Sequence, residues 1–342
     1  MRIIVMGAGP IGGIVGGRLA RQGNDVTLAD VDPEHVQAIQ ERGLQVDVPD
    51  GPFRVSVPVV FPKEITGKFD LAFIAVRSFH TQQALADLLP HLGEAAVVVS
   101  LQNGINPPLI EARVEPERVV GTAIRMQSFK RGPGHLDTPV RGHLYVGHLD
   151  GKNTPQLGQV QALLDAVIPT EITDNIRGAI WSKLTFTCLG FFGSLADASL
   201  RTICGNDRNR RACVAFLGEV VGVGQAVGVR FIPLKEYDPL AFHPDLPLEA
   251  RLAALAETAR HWQGDERTGQ GRQLKRGART EVDYTVAYVV QEGLRAGIPT
   301  PLCRAAVRII HEIEAGQRPL QLQNYAELAA TGEASAAEAL AR

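Results

Sequence analysis

The chain has 342 residues, 45% of them hydrophobic and 21% charged, a composition that is typical of a folded globular protein and excludes a disordered chain. Its 35 Lys and Arg against 37 Asp and Glu give a formal net charge of −2, so it lacks the positive excess that nucleic-acid binding requires. The length predicts two domains.

The cysteines and the N-terminus bear on cellular location. The four cysteines are Cys188, Cys204, Cys213 and Cys303. They form neither a Cys-x-x-Cys pair nor a zinc-ligand spacing, so we expect buried reduced thiols, no metal site and a cytoplasmic protein. Residues 3–17 carry no charge, but this stretch is glycine-rich and too short to cross a bilayer, which argues against a signal peptide or a membrane anchor.

In the first half of the chain, predicted strands alternate with predicted helices. The strands are expected at 2–6, 25–29, 69–76 and 95–101, and the helices at 11–21, 33–42 and 80–90. This alternation predicts a parallel sheet covered by helices on both faces. Short strands at 119–126, 134–136 and 143–146 lie between Gly and Pro turns, and we expect them to extend the sheet through antiparallel hairpins.

From about residue 174 the pattern becomes almost wholly helical. Helices are predicted at 176–189, 207–227, 247–262, 281–296 and 301–315. Thr280 and Thr300 are the expected caps of the last two. The final fifteen or so residues are rich in Ala and Glu with little apolar periodicity, which predicts a frayed tail.

The first strand runs directly into a Gly-x-Gly-x-x-Gly sequence that opens a helix. Gly7 permits the tight turn, Gly9 lets the backbone approach a pyrophosphate, and Gly12 lets the helix pack against the strand. The helix N-terminus offers N–H groups to the phosphates. The alternative is a glycine-rich turn without a ligand. We predict that a dinucleotide binds at Gly7, Gly9, Pro10, Ile11 and Gly12.

Asp30 ends the second strand, 18 residues after Gly12. A carboxylate there can accept hydrogen bonds from the adenosine ribose and repels a 2′-phosphate, which favours NAD over NADP. The alternative is a helix-capping aspartate, a role for which Asp32 is better placed because it directly precedes Pro33.

Two further strand ends carry polar side chains. Arg77 follows one strand and Asn103 follows the next, and ligands of open α/β sheets bind at the carboxyl ends of the strands. A guanidinium and an amide are therefore expected near the nicotinamide. The alternatives are a surface arginine and an ordinary Asn-Gly turn.

The helix that begins near residue 174 carries a lysine among small and apolar residues. Its buried stripe is predicted to be Ile176, Ile180, Leu184 and Cys188. The neighbouring row is Ala179, Lys183, Thr187 and Phe191. Partial burial would lower the pKa of Lys183 and suit a general acid that protonates a carbonyl oxygen. The alternative is a lysine whose stem covers apolar surface while its amine stays in water.

Six segments occur in an order that resembles the ketopantoate reductase (2-dehydropantoate 2-reductase) family over about residues 1–316. They are the strand–GAGPIG opening, Val76-Arg77-Ser78, Gln102-Asn103-Gly104, Ile180-Trp181-Ser182-Lys183-Leu184, Arg279-Thr280-Glu281-Val282-Asp283-Tyr284 and Ile298-Pro299-Thr300-Pro301. The resemblance implies a Rossmann N-terminal domain and an all-α C-terminal domain related to that of 6-phosphogluconate dehydrogenase, with the substrate cleft between them. We expect a Rossmann dinucleotide-binding domain at 1–172, a helical substrate and dimerisation domain at 173–318 and a tail at 319–342.

The resemblance also implies roles for individual residues. Lys183 matches the catalytic lysine of the family, Glu281 the acidic residue that contacts substrate, and Asn103 the asparagine near nicotinamide and substrate. Glu281 lies at a predicted helix N-terminus, where the helix dipole keeps a carboxylate ionised. An ionised Glu281 would hold Lys183 protonated, whereas burial would favour the neutral amine.

The chain departs from the family pattern at positions that bear on specificity. Arg77 replaces the usual lysine, Thr187 and Phe191 replace asparagines, and Arg125 stands where a smaller or neutral group is usual. Asp30 replaces the basic residue that selects NADPH. We therefore expect an altered substrate pocket that involves Arg77, Arg125, Thr187, Phe191 and Glu281.

These features together predict an NAD-dependent oxidoreductase that acts on a small 2-oxo or 2-hydroxy acid, or on a related ketone or alcohol. Lys183 would serve as the general acid or base, and NADP is the less favoured cofactor. The alternatives are a 2-dehydropantoate 2-reductase and a non-catalytic NAD-binding regulator. The expected partner is a small molecule, with no nucleic acid and no membrane. Helical domains of this type often pair, which suggests a homodimer.

Overall fold

The N-terminal half of the chain is built on a large, mostly parallel sheet with a smaller sheet beside it. The computed structural model describes residues 1–140, 142–235, 237–260, 262 and 267–341. In chain order the strands are β1 (Arg2–Met6), β2 (Asp25–Ala29), β3 (Leu44–Asp47), β4 (Phe53–Val55), β5 (Val59–Val60), β6 (Phe69–Ile74), β7 (Leu92–Ser100), β8 (Val119–Arg125), β9 (Phe129–Gly132), β10 (His135–Asp137), β11 (His143–Gly147) and β12 (Thr170–Ile172). The large sheet has the order β12-β11-β8-β7-β6-β1-β2-β5, and the small one β4-β3-β10-β9.

The helices of this half connect successive strands. They are α1 (Pro10–Arg21), α2 (Pro33–Arg42), α3 (Thr81–Leu88), α4 (Pro107–Glu111) and α5 (Pro155–Asp165). The β-branched run Ile3, Ile4 and Val5 is completely buried, as expected of a strand covered on both faces. The predicted Rossmann α/β class is confirmed.

The expectation that residues 119–149 only extend the sheet through antiparallel hairpins is wrong in two respects. β8 joins the large sheet parallel to β7, and β11 pairs antiparallel with β8. β9 and β10 belong to the small sheet, where β10 pairs in parallel with β3. Strands of three or four residues take their partners from long-range packing, which local periodicity does not report.

The rest of the chain is helical. Contacts divide the whole chain into two compact units, Met1–Ile180 and Trp181–Arg342, and the boundary falls inside α6. The helices are α6 (Ile176–Phe192), α7 (Leu200–Ile203), α8 (Asp207–Ala226), α9 (Leu248–Ala259), α10 (Gly269–Lys275), α11 (Val286–Ala296), α12 (Pro301–Glu314) and α13 (Asn324–Ala341). The predicted all-α C-terminal class is confirmed. Of the helix predicted at 247–262, residue 261 lies outside the described residues.

The predicted frayed tail is wrong, because α13 packs on the helices before it. Tyr325, Leu328 and Ala329 are buried, and the Tyr325 hydroxyl donates to the carbonyl of Phe192 at 2.5 Å. These three residues are separated by three positions and then by one, and they form a short apolar stripe within an otherwise Ala- and Glu-rich segment.

The described part of the chain allows three further observations, on cysteines, membrane spans and metal ligands. All four cysteines are reduced and buried, as predicted. None of the described helices combines the length and the apolar character that crossing a membrane needs. Among the described residues, no group of three or more His, Cys, Asp or Glu side chains is arranged to hold a metal ion.

Glu219 of α8 caps the N-terminus of α12. Its two carboxylate oxygens accept hydrogen bonds from the N–H groups of Leu302, at 2.9 Å, and Cys303, at 2.8 Å. Thr300, the expected capping residue, forms no side-chain cap. Burial raises the pKa of Glu219 from its ordinary value of 4.5 to about 7, although the two N–H groups act in the opposite direction.

This raised pKa predicts a stability that depends on pH. Between about pH 4.5 and 7 the folded protein holds a proton that the unfolded chain releases, so the contribution of Glu219 is lost as the pH rises through 7. The full effect is about 3 kcal/mol. Urea unfolding of wild type and Glu219→Gln at about pH 5 and pH 8 should show wild type losing stability relative to the variant. If the unfolding free energies of wild type and Glu219→Gln differ by the same amount at both pH values, the prediction is refuted.

Candidate functional site

The glycine-rich loop lies at the carboxyl edge of the large sheet, between β1 and α1. Gly7 has a φ of +97°, and its N–H donates to the carbonyl of Ala29 at the end of β2. A Cβ on Gly12 would lie 2.0 Å from the carbonyl oxygen of Gly7, so only glycine fits there. A Cβ on Gly9 would meet no protein atom within 4 Å. Gly9 therefore faces open space on the side where a pyrophosphate would approach.

Pro10 and Ile11 form the first two residues of α1 and are half-buried. Pro10 has no N–H to leave unsatisfied at this helix start. The Gly13 N–H already bonds the carbonyl of Gly9. The Gly7 and Ala8 N–H groups are also bonded within the protein, which makes those of Gly9, Ile11 and Gly12 the donors for phosphate oxygens.

Two side chains hold Ala8, the residue between the first two glycines. Oδ2 of Asp30 accepts a hydrogen bond from the Ala8 N–H at 2.7 Å. Nε2 of His35 lies 2.9 Å from the Ala8 carbonyl, and its Nδ1 accepts from the N–H of Gly134 at 2.9 Å. Because Nδ1 is an acceptor, the ring proton is on Nε2 and is donated to Ala8. The loop is thus fixed before any ligand binds.

His35 was not singled out in the sequence. It is 1% exposed and joins the loop to the turn between β9 and β10. Asp32 caps α2 by accepting from the His35 N–H at 3.2 Å, as predicted for a residue before proline. His35 is a polar residue at the third position after the helix cap Asp32. This is the one local feature of the sequence that could have singled it out.

The loops that carry Arg77 and Asn103 are joined by a buried polar network. The Ser78 hydroxyl donates to the Asn103 carbonyl at 3.1 Å, and the Asn106 amide donates to the same carbonyl at 2.6 Å. The Gln102 amide donates to the Val76 carbonyl at 2.9 Å. This network fixes the two loops side by side at the carboxyl ends of β6 and β7, while the side chains of Arg77 and Asn103 remain exposed.

Arg125 is the last residue of β8, at the same edge of the sheet. It pairs in register with His143 of β11, whose ring contacts Tyr145 edge-on at 4.7 Å. Burial and the charge of Glu171 raise the pKa of Tyr145, and Arg125 opposes this shift. Arg125 is therefore a half-buried cation within a polar cluster.

In α6 the predicted buried stripe is confirmed, since Ile176, Ile180, Leu184 and Cys188 are all buried. Lys183 is half-buried, as expected, between the buried residues Ala179 and Thr187. The Thr187 hydroxyl donates to the carbonyl of Lys183 at 2.9 Å. Phe191 is 1% exposed, in the interior of the helical unit, and its contact with substrate stays a prediction.

Glu281 begins a short 3₁₀ turn, Val282–Tyr284, rather than the α-helix predicted there. The residue is 7% exposed, and its carbonyl accepts from the Thr285 hydroxyl at 2.8 Å. Thr280 next to it donates both its N–H and its hydroxyl to Oε1 of Glu314, each at 2.7 Å. A carboxylate at the end of α12, which the helix dipole disfavours, thereby anchors this segment. Glu314 was missed because this contact spans 34 residues.

Each unit gathers its own part of the predicted site. Within Met1–Ile180, the glycine-rich loop, Asp30, Arg77, Asn103 and Arg125 lie at the carboxyl ends of adjacent strands. Within Trp181–Arg342, Lys183 and Thr187 share one face of α6, and Glu281 lies on a separate anchored segment.

Comparison with known proteins finds relatives that match over most of the chain. A 2-dehydropantoate 2-reductase from Streptococcus pyogenes serotype M3 is 27% identical over 327 residues, covering 92% of this chain and 98% of that protein. A solved PanE/ApbA family ketopantoate reductase from Ralstonia eutropha JMP134 is 27% identical with a TM-score of 0.79, covering 93% and 99% of the two chains. D-mandelate dehydrogenase in complex with NADH shares the fold, with a TM-score of 0.80 at 21% identity over 93% of this chain and all of that one.

The family profiles cover both units. The profile described as ketopantoate reductase PanE/ApbA matches residues 3–151, and its C-terminal counterpart matches residues 175–314. The motifs that suggested this family lie within the matched ranges. The chain belongs to the ketopantoate reductase PanE/ApbA family.

Proposed function

We propose that this protein is an NAD-dependent oxidoreductase that transfers a hydride between nicotinamide and a small 2-oxo or 2-hydroxy acid, or a related ketone or alcohol. Family membership supports a nicotinamide cofactor and a small-molecule substrate. The observation that carries the choice of NAD is Asp30, whose carboxylate lies 2.7 Å from the Ala8 N–H inside the glycine-rich loop. In that position it accepts hydrogen bonds from a ribose diol and repels a 2′-phosphate.

The residues present fit a dinucleotide, because the open space at Gly9 and the N–H groups at the start of α1 match a pyrophosphate. When bound, the nicotinamide supplies or accepts the hydride. Lys183 gives a proton to the substrate oxygen in reduction and takes one in oxidation. Its half-buried position on α6, between the buried residues Ala179 and Thr187, supports this role.

The remaining predicted residues bind and orient the substrate. Arg77 offers a planar fork that pairs with a carboxylate through two parallel hydrogen bonds, and Arg125 adds a second cation. Asn103 and Glu281 orient the reacting group, and the Thr280 anchor fixes the backbone next to Glu281. Arginine cannot act as the acid, which leaves the proton transfer to Lys183.

A second candidate is 2-dehydropantoate 2-reductase activity, which the names of the relatives favour. At Thr187 the chain offers a hydroxyl already bonded to the Lys183 carbonyl, and at Phe191 a buried ring, where the family has amides. A pocket without these two amides discriminates less well between a substrate that carries a hydroxyl and one that lacks it. Rates with ketopantoate and with other 2-oxo acids, measured side by side, separate the two candidates.

The cofactor preference is tested by titrating NADH and NADPH and following the fluorescence of the reduced nicotinamide. We expect NADH to bind at least about tenfold more tightly, a difference of about 1.4 kcal/mol, because a 2′-phosphate would meet the Asp30 carboxylate. Asp30→Asn should narrow this difference. Tighter binding of NADPH by the wild type would contradict the assignment.

The assembly, the location and the domain limits are further parts of the proposal. We expect a homodimer, a cytoplasmic location and domains at 1–172 and 173–318, followed by a C-terminal segment at 319–342 that includes the packed helix α13. Light scattering on the purified protein tests the homodimer.

A further inference from the structure

The segment that follows β2 has the features of an adenosine subsite. Asp30 uses Oδ2 for the Ala8 N–H and Oδ1 for the Asp32 N–H, at 2.7 and 2.9 Å, so the backbone of the whole segment is fixed to the loop. Val31 between the two aspartates is 71% exposed, an apolar side chain beside a ribose-binding carboxylate. If Asp30 binds the ribose, the residues that follow it are the ones nearest to a 2′-phosphate.

A lysine from the small sheet reaches this segment. Nζ of Lys130, in β9, lies 2.5 Å from Oδ2 of Asp32, and 98 residues separate them in sequence. Lys130 is paired across the sheet with Leu136 of β10, so both side chains are on one face. Leu136 packs against α1, since a Cβ on Gly13 would lie 2.4 Å from its Cδ1.

The position of Lys130 is therefore built into the fold. The turn between β9 and β10 is fixed to the Ala8 carbonyl through His35. The hairpin of β9 and β10 is thus held at two points: its turn is bound through His35, and Leu136 of β10 packs on α1. An arbitrary surface lysine would have no such support.

Asp32 has two separate tasks, one for each carboxylate oxygen. Oδ1 caps α2 by accepting the His35 N–H, and Oδ2 accepts the Lys130 ammonium. The hydrogen bond from Lys130 lowers the pKa of Asp32, so Asp32 is ionised at neutral pH. The local charge is that of two carboxylates and one ammonium, and the ammonium is already bound.

We propose that the Asp32–Lys130 ion pair is a cofactor-specificity element: Asp32 engages the ammonium of Lys130, which would otherwise pair with a 2′-phosphate. The inference rests on the proposed preference for NAD and deepens it. Asp30 repels a 2′-phosphate, and Asp32 binds the Lys130 ammonium so that this cation does not pair with the phosphate. The proposal predicts that removing the Asp32 carboxylate makes Lys130 a phosphate-binding residue.

The test compares Asp32→Ser, Lys130→Met and the double variant. Serine keeps a cap for α2 and methionine keeps an apolar stem, so all three should retain the fold. Dissociation constants are measured for NADH and NADPH by fluorescence, and for ADP and 2′-phospho-ADP by calorimetry, so that no readout depends on activity. Lys152→Met is the matched control, because it removes an exposed lysine that pairs with Asp150 in the same unit.

We expect Asp32→Ser to lower the ratio of the NADPH to the NADH dissociation constant about tenfold, with the same gain for 2′-phospho-ADP over ADP. Lys130→Met in the Asp32→Ser background should abolish the gain, and Lys152→Met should leave the ratio unchanged. An equal gain in relative NADPH affinity in Asp32→Ser and in the double variant would overturn the proposal. Loss of repulsion by the Asp32 carboxylate would then explain the gain without Lys130.

Failure of this inference is distinguishable from failure of the proposed function. If the wild type prefers NADH and Asp32→Ser leaves the ratio unchanged, only the ion-pair proposal is overturned. If the wild type binds NADPH more tightly than NADH, the proposed NAD preference is wrong, and the ion-pair proposal is overturned with it.

Discussion

Replacing Lys183 with alanine is expected to lower kcat by about two to four orders of magnitude, the usual contribution of a general acid or base. The dissociation constant of NADH should change by less than about threefold, because the dinucleotide loop belongs to the other unit of the chain. Steady-state kinetics and a fluorescence titration on the same preparation measure both quantities.

Two further variants separate proton transfer from charge. Lys183→Arg keeps the positive charge but cannot release a proton at working pH, so it should be nearly as inactive as the alanine variant. Lys275→Ala is the matched control, since this exposed lysine of the helical unit pairs with Asp197 and should leave kcat unchanged. Substantial turnover by Lys183→Arg would show that the amine only anchors an anion.

Gly9→Ala and Gly12→Ala are expected to fail in different ways, although they lie three residues apart. The Cβ at position 9 meets no protein atom within 4 Å, and Gly9 has a φ of −67° that alanine tolerates, so this variant should fold normally. It should bind NADH at least about tenfold more weakly, because its methyl group occupies the path of the pyrophosphate. The Gly12→Ala methyl group would lie 2.0 Å from the Gly7 carbonyl oxygen and 2.7 Å from Ala75 Cβ, and should destabilise the protein by about 3 kcal/mol or more.

Thermal unfolding without ligand and NADH titration distinguish these outcomes. Gly228→Ala serves as a control for glycine replacement in open space outside the loop, although its φ of +77° predicts a modest loss of stability and no change in NADH binding. Unchanged NADH affinity in a well-folded Gly9→Ala variant would mean that the dinucleotide does not approach this loop.

The sequence predicts the dinucleotide-binding half well where the signal is local. The completely buried run Ile3 to Val5 could only be a central strand, and the glycine spacing required a strand before it and a helix after it. The same holds for α6, where the i, i+4 row of apolar residues left Lys183 half-buried. These patterns depend on a single periodic element and its immediate neighbours.

The features that the sequence did not predict depend on distant partners. The small sheet forms because β10 pairs with β3 about ninety residues earlier, as in the register His135↔Gln45. Likewise, Thr300 looked like the cap of α12, but Glu219 of another helix supplies the cap. Neither β3 as the partner of β10 nor Glu219 as the cap of α12 can be recognised from the sequence around the element that it contacts.

The same distinction applies to the candidate site. Asp30, Arg77 and Asn103 follow predicted strands, so their place at the sheet edge could be inferred from chain order alone. His35 and Lys130 could not be inferred in this way, because their roles depend on how the β9–β10 turn meets the loop. Positioning residues of this kind become visible only when the tertiary contacts are known.

The most direct test of the proposed reaction follows the hydride itself. The protein is incubated with NADH that carries deuterium at both C4 positions of the nicotinamide and with a panel of 2-oxo acids, including ketopantoate, and related ketones, and the products are examined by NMR. We predict a 2-hydroxy acid or alcohol with deuterium on the carbinol carbon, formed at least about a hundredfold faster by the wild type than by Lys183→Ala. Oxidation of NADH without deuterium in any product, or no reaction with any member of the panel, would contradict the proposed function.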